Sequence, residues 1–341
     1  MIKSDNFLAI FPYFCIAMHE KVCHKVYMVG ICTMLHFLVD ALCLCCLYLM
    51  ASCHSESSLL GVFLTYNVLA FMTQPVTGWW ADCSRRPHWL LLSSVLLLMA
   101  AVLFSVFFMA KLVVPSTFSM MVVAVLLGMG NSIFHTWGGR QTVLKAGNDP
   151  RALGVFVSTG AFGLAVGAFW CSWQLLLVIM ILVSLLALVY VRHDTASNMA
   201  HADTSLKSRL RHGHVIVAIL VLMAFVMFRS SMGEAFTSGM NKGGGVILLI
   251  GATAMLGKMS GGWLARHFGA MRSFVILLVS SLACYALGGT GIGIVLLGLF
   301  LINCTMPITL YWANAVLPGR EGLAFGLLAA ALIPGFLVAY L

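Results

Sequence analysis

The sequence predicts an all-α membrane protein made of two repeated helical bundles, and three observations lead there. Hydrophobic residues fill 62% of the 341 positions, charged residues only 9%, and mean hydropathy is +1.04, whereas a soluble domain carries about 25% charge. Apolar stretches of about 20 residues recur along nearly the whole length, each long enough to cross a hydrocarbon core of roughly 30 Å at about 1.5 Å per residue. A Gly-Trp-x-Ala sequence followed by charge occurs at Gly78 and again at Gly262, 184 residues later.

Charges and polar breaks delimit eleven helices in turn. The first, 26–50, follows Lys25, and the second, 58–80, stops at Asp82, Arg85 and Arg86. The third, 88–110, ends at Lys111, and the fourth, 113–138, ends before Arg140 and Lys145. Arg151 precedes the fifth, 152–170, and Arg192 closes the sixth, 173–191. A polar stretch with Lys207, Arg209 and Arg211 leads to the seventh, 215–238, which Lys242 follows. The eighth, 244–265, ends at Arg266, and Arg272 marks the start of the ninth, 271–288. The tenth covers 291–314, and Arg320 introduces the eleventh, 321–340. Four regions result: a cytoplasmic segment 1–25, a six-helix bundle 26–191, a cytoplasmic linker 192–214, and a five-helix bundle 215–341. Residues 1–25 hold Lys3, Asp5, Glu20, Lys21 and Lys25 around a short apolar stretch without a small-residue cleavage site, which is not the pattern of a signal peptide.

With the N-terminus inside, fifteen lysines and arginines lie in cytoplasmic segments and two, Lys111 and Lys242, lie outside; Arg229 and Lys258 fall within spans. Basic residues are retained on the cytoplasmic side, so this asymmetry fixes the N-terminus inside. The net charge of +9 is thereby accounted for by topology and by contact with anionic lipid, with no call for nucleic acid.

The repeat gives the opening motif a role. Gly78 allows close helix packing, and Asp82, with Arg85 and Arg86 after it, can latch cytoplasmic helix ends together in one state of a rocking cycle. Gly262 and Arg266 are its second copy, with Arg266 where the acid would stand; Cys83 and Arg85 likewise replace a basic residue and a glycine of the usual pattern, so a weak latch is expected. Two six-helix repeats joined by a polar cytoplasmic loop resemble the major facilitator architecture, whose halves are related by an axis along the membrane normal with the substrate site between them.

Four stretches narrow the resemblance: "LHFLVD" in the first span, "LTYNVLAFMTQPVTGWWAD" through the second, "GNSIFHTWGGR" ending the fourth, and "LPGREGLAFGL" entering the eleventh. Together they resemble the fosmidomycin-resistance efflux family of that superfamily. The resemblance implies a proton-coupled exporter of small drug-like or anionic compounds in a bacterial inner membrane, working by alternating access without a cofactor; its partners would be a small-molecule substrate, protons and lipid. The family has twelve helices, and this chain stops at Leu341 with the eleventh, so a second half lacking its last helix is expected. A non-transporting membrane sensor, or a remnant of a transporter, is the alternative function that this gap suggests.

An ionisable side chain at a helix centre costs on the order of 3 kcal/mol, so each one calls for a partner or a wet cavity. His36 and Asp40 share one face of the first span, with Asp40 roughly 21 Å from the cytoplasmic end. Arg229 is about equally deep in the seventh span, the repeat equivalent of the first. This places Asp40 as the proton site, His36 as its modulator, and Arg229 as the attractor of an anionic group or the counterion of Asp40 in an empty cavity; the bland alternative is a static bridge. Glu234 is a second acid nearer the outer face. His135 and Asn303 are the polar members of the other two cavity helices, where interhelical hydrogen bonding is the commoner use. Lys258 is expected to snorkel to the interface, and Gly160, Gly163 and Gly167 to permit close helix packing.

Other chemistries find little support. His19 with Cys23 and His24, and His212 with His214, lack a four-ligand zinc spacing. Cys43, Cys45 and Cys46 lie within the first span as small apolar groups, so no disulfide is expected. "GGTGIG", Gly288 to Gly293, lies between apolar spans with no strand and is not a nucleotide loop. An intramembrane enzyme would gather polar groups near one face, whereas here single charges sit at mid-depth on separate helices.

Overall fold

The computed structural model describes residues 7–52, 56–112, 116–194, 212–240, 243–287 and 291–338. Among them, ten helices are long and apolar enough to span a membrane. In chain order, with the shorter Ala270–Ala286 as α9, these are α1 (Cys23–Ala51), α2 (Leu59–Cys83), α3 (Pro87–Met109), α4 (Thr117–Ala146), α5 (Pro150–Phe169), α6 (Trp173–His193), α7 (Gly213–Thr237), α8 (Gly245–Phe268), α10 (Ile292–Val316) and α11 (Glu321–Val338). The molecule is an all-α, multi-pass integral membrane protein. The segment before α1 is helical from Phe7 and runs straight into the span, while most of the linker 192–214 lies outside the described residues.

Local chemistry sets most helix ends. Ser116 caps α4 through a reciprocal pair of bonds with Ser119, and Ser172 caps α6 through Leu175 N. α4 runs to Ala146, two turns beyond its expected end. Gly138 and Gly139 read as a break, yet they are buried against Phe156 and Phe325, and the helix stops only at Gly147, whose φ of 66° makes the left-handed turn that ends helices. Arg140 and Lys145 are therefore helical residues rather than loop residues. α5 then starts at once, with Asp149 as N-cap and Pro150 in the first turn, where a missing N–H costs nothing. α2 contains a wide turn at Val68–Met72 just before Pro75; the Thr73 hydroxyl there donates to Ser132 Oγ at 2.7 Å and joins α2 to α4.

The main apolar core is built on the first half and continues into the second through residues such as Val226, Leu310, Ala313 and Phe325, and the second half holds two smaller clusters, around Phe236 and around Ile308. The halves meet chiefly along two pairs, α5 with α8 and α2 with α11. Both are glycine contacts of one design. A Cβ on Gly78 would strike Gly322 O, and one on Gly326 would strike Gln74 O; a Cβ on Gly262 would strike Pro150 O, and one on Gly154 would lie 2.8 Å from Lys258 O. Gln74 and Lys258, like Gly78 and Gly262, are 184 positions apart. The sequence repeat is thus a repeat of the interface.

Candidate functional site

α1 is the most enclosed span: its apolar window is 72% buried, against 22% in α7 and α8. Ionisable groups on α1 therefore face protein rather than lipid. Between the halves lies a cavity of about 320 Å³, lined by His36, Asp40, Asn131 and His135 on one side and by Arg229 and Lys258 on the other, with Tyr66, Phe71, Gln74, Thr309 and Phe325 around them.

The first wall is a compact polar cluster. His36 Nε2 lies 2.9 Å from His135 Nε2 and 3.4 Å from Asp40 Oδ2, while His135 Nε2 lies 3.3 Å from Asp40 Oδ1. Asn131 Nδ2 donates to Asp40 Oδ1 at 3.3 Å. Each ring is pinned from behind: His36 Nδ1 is 2.7 Å from Phe156 O, and His135 Nδ1 is 2.9 Å from Asn131 O. His36 also stacks on Phe156, ring centroids 4.5 Å apart. The nitrogen and oxygen atoms that His36, Asp40 and His135 present lie within 4.8 Å of one another. The facing cations, Arg229 and Lys258, disfavour a divalent ion there, since the cavity already holds more fixed positive charge than negative.

Gly160 makes room for this cluster; a Cβ there would strike Asp40 Oδ2 and His36 Nε2. Its neighbours Gly163 and Gly167 pack on Phe37 O and Ala41 O, so two of the three glycines serve helix approach alone. Overpacking of this kind costs about 1–3 kcal/mol. Gly160→Ala should lower transport flux about tenfold or more with unchanged membrane insertion, whereas Gly213→Ala, with nothing within 4 Å of the new methyl, should change neither; vesicle flux and expression level read the difference.

On the second wall, Arg229 is buried, its Nη1 has no hydrogen-bond partner, and no described ion pair reaches it or Lys258. Lys258 does not snorkel: it lines the cavity, at the position that the repeat relates to Gln74. Two expected members are elsewhere. Asn303 spends its amide on Leu299 O of its own helix at 2.8 Å, beside Gly257, and Glu234 is not among the cavity-lining residues.

At the cytoplasmic end, Asp82 accepts from Gly322 N at 2.9 Å and Leu323 N at 2.8 Å, capping α11 from the other half, and from Arg140 Nε at 3.1 Å. Its basic partner is thus Arg140 of α4, which the sequence assigned to topology alone. Arg85 and Arg86 are exposed and take no part in these bonds. Around Gly262 the charges are exchanged: the acid is Asp149 at the start of α5, and Arg266 is exposed in the last turn of α8. Hydrogen bonds from Arg151, with a smaller contribution from Arg266, hold the Asp149 carboxyl below the usual carboxylate range. Arg151 lies 5.5 Å over the Trp263 ring, and Asn148 donates to Tyr311 O at 3.1 Å while accepting from Asn314 at 3.3 Å. Sequence reasoning missed Asn148; its φ of 57° beside Gly147 follows from the left-handed turn there.

Comparison with known proteins agrees with this geometry. The Fosmidomycin resistance protein of Escherichia coli (strain K12) is 23% identical over 300 residues, 78% of this chain and 71% of that protein. Two solved structures share the fold. The human organic anion transporter MFSD10 (TETRAN) matches with a TM-score of 0.63 at 14% identity, over 91% of this chain and 92% of its own. A bacterial homologue of the iron transporter ferroportin, in an outward-facing state, matches with a TM-score of 0.57 at 14% identity, over 92% and 91%. The family profile described as Major Facilitator Superfamily matches residues 29–339. With two repeated bundles, a cavity between them and a profile match over nearly its whole length, the chain belongs to the Major Facilitator Superfamily of membrane transporters.

Proposed function

We propose that the protein is a proton-coupled antiporter of a bacterial inner membrane that exports small anionic, drug-like compounds by alternating access. The observation on which this rests is the division of charge across the cavity, with a carboxylate and two imidazoles on one wall and two unpaired cations on the other. The names of two relatives point the same way, one a resistance protein and the other an organic anion transporter.

The proton reading follows from valence. A neutral imidazole donates from one nitrogen and accepts at the other. The carbonyls of Phe156 and Asn131 can only accept, so both Nδ1 atoms carry hydrogen. Each neutral ring would then offer a lone pair at Nε2, and two lone pairs 2.9 Å apart repel. In this arrangement one ring holds a second proton, shared between His36 and His135 and stabilised by ionised Asp40. Asp40 is then the fixed charge of the proton site and the imidazoles its carriers. Losing the proton leaves a carboxylate beside two lone pairs, which drives Asp40 toward Arg229 and Lys258.

The substrate reading follows from desolvation. A buried cation without a partner is costly, so Arg229, with the half-buried Lys258 on the same wall, is suited to an anionic group such as a phosphonate or carboxylate. By charge alone a bound proton and a bound anion favour one another, so antiport requires that the cavity change sides only when it carries one of the two.

The test is flux in proteoliposomes under an imposed pH gradient, with fosmidomycin, simple phosphonates and cationic drugs as substrates. Anion efflux with proton movement in the opposite direction, weakened in Arg229→Leu and Lys258→Gln, is the expected result. Proton movement in the same direction would overturn antiport, and flux with cationic drugs alone would overturn the anion reading.

A further inference from the structure

α1 and α5 meet in a regular ladder. Gly163 packs on Phe37 O and Gly167 on Ala41 O; four residues further along each strand of the ladder come Cys45 and Cys171. The Cys171 thiol donates to Cys45 O at 3.2 Å, the Cys45 thiol lies 3.6 Å from Ser172 O, and the two sulfurs are 4.0 Å apart. Cys171 is partly exposed in the short turn between α5 and α6, while Cys45 is buried. With the N-terminus inside, this turn and the C-terminal end of α1 lie on the extracytoplasmic side, which is the oxidising side in bacteria.

We infer that Cys45 and Cys171 form a disulfide that staples the outer part of α1 to the α5–α6 turn. The sulfurs need to close to about 2.05 Å, and the glycine contacts below already hold the two backbones together, so side-chain rotation and a small shift of the turn supply the approach. The oxidant is a disulfide of the extracytoplasmic space, such as the active-site disulfide of a thiol oxidase. The Cys171 thiolate attacks one of its sulfurs and expels the other as a thiol, giving a mixed disulfide. The Cys45 thiolate then attacks the Cys171 sulfur and expels the second thiol. Two protein thiols lose two electrons, the oxidant disulfide gains them, and its two leaving thiolates take up the two protons. The bond fixes the helix that bears His36 and Asp40 within its own half.

No other described cysteines are arranged this way. Cys46 bonds Ser105 Oγ at 2.9 Å, and Cys23 and Cys83 are exposed at the cytoplasmic side. Cys53 lies outside the described residues.

The test is thiol mapping of the full chain. Membranes from cells grown aerobically are quenched with N-ethylmaleimide in denaturing detergent, without reductant, and the peptides are analysed by mass spectrometry. A peptide pair joining Cys45 to Cys171, two hydrogens lighter than its sum and released by reductant, is the expected result; in Cys171→Ser, Cys45 should instead be fully alkylated. Full alkylation of both cysteines in the unreduced wild-type chain, or a bond from Cys171 to a different cysteine, would overturn the inference. The wild-type measurement decides the matter even if the variant is poorly inserted, and it is independent of any transport assay.

Discussion

Asp40→Asn should abolish proton-driven accumulation while leaving downhill exchange of substrate in place. The substitution keeps the shape of the side chain and an acceptor oxygen for Asn131, removes the charge, and turns the second acceptor oxygen into an NH2 donor. That charge faces two imidazole nitrogens, at 3.4 and 3.3 Å, in a buried site where water cannot replace it. Breaking a buried pair by removing one partner costs about 3–5 kcal/mol, or two to four decades in an equilibrium at about 1.4 kcal/mol per decade. The shared proton should therefore be lost at the pH values where the wild type holds it, and flux under a pH gradient should fall at least about 100-fold. Exchange driven by substrate alone uses the Arg229 wall and should survive. Full proton-driven flux in Asp40→Asn would remove the proton role from α1. His135→Asn tests the other half of the reading: it can keep an N–H donor for Asn131 O but removes the Nε2 lone pair at the shared proton, so it should also uncouple the cycle, whereas a purely packing role for His135 would leave coupling intact.

Why the spans were legible and the site only in part is visible in particular residues. A helix that crosses a membrane must be about 20 apolar residues long, and its backbone must be bonded internally, so the eleven helices follow from length and flanking charge. The end of α4 does not, because Gly138, Gly139 and Arg140 resemble a terminus and are in fact buried, the two glycines against α5 of the same half and α11 of the other. His36 and Asp40 are one helical turn apart and could be paired from spacing alone. His135 lies 99 residues from His36, and nothing local in the sequence brings the two rings together. Arg140 and Asp82 are likewise 58 residues apart, and a buried arginine next to a cytoplasmic loop looks like one more positive-inside charge. Lys258 carried a usable signal: the 184-residue offset of the Gly-Trp repeat maps it onto Gln74, in the most specific of the resemblance stretches. Two polar residues at one repeat position on facing helices point inward together, and the cavity lies between them.

Asp82→Ala should release the cytoplasmic latch, and the reason is the number of buried groups that this one carboxylate satisfies. Its side chain is 1% exposed, and it accepts from two backbone amides of α11 and from the Arg140 guanidinium, itself only 7% exposed and with Nη1 already unpartnered. Truncation leaves a helix N-terminus uncapped and a buried cation unpaired in the closed state; in the open state water can reach both. The penalty thus falls on one conformation only, which is what shifts an equilibrium rather than merely weakening the protein. Loss of a cap alone costs about 0.5–2 kcal/mol, and a coupling of about 3 kcal/mol corresponds to roughly 150-fold. Hydrogen exchange at Gly322 and Leu323 should accelerate by about two decades, and exchange at the α5 N-terminus should accelerate with it, since the contacts of Gly262 and Asn148 open in the same motion. Asp82→Asn, which keeps one acceptor oxygen, should lie between. Arg86→Ala should leave exchange at both sites unchanged, because Arg86 is exposed and Arg140 is the residue that Asp82 holds. Acceleration confined to Gly322 and Leu323 would make Asp82 a helix cap with no part in closing the two halves.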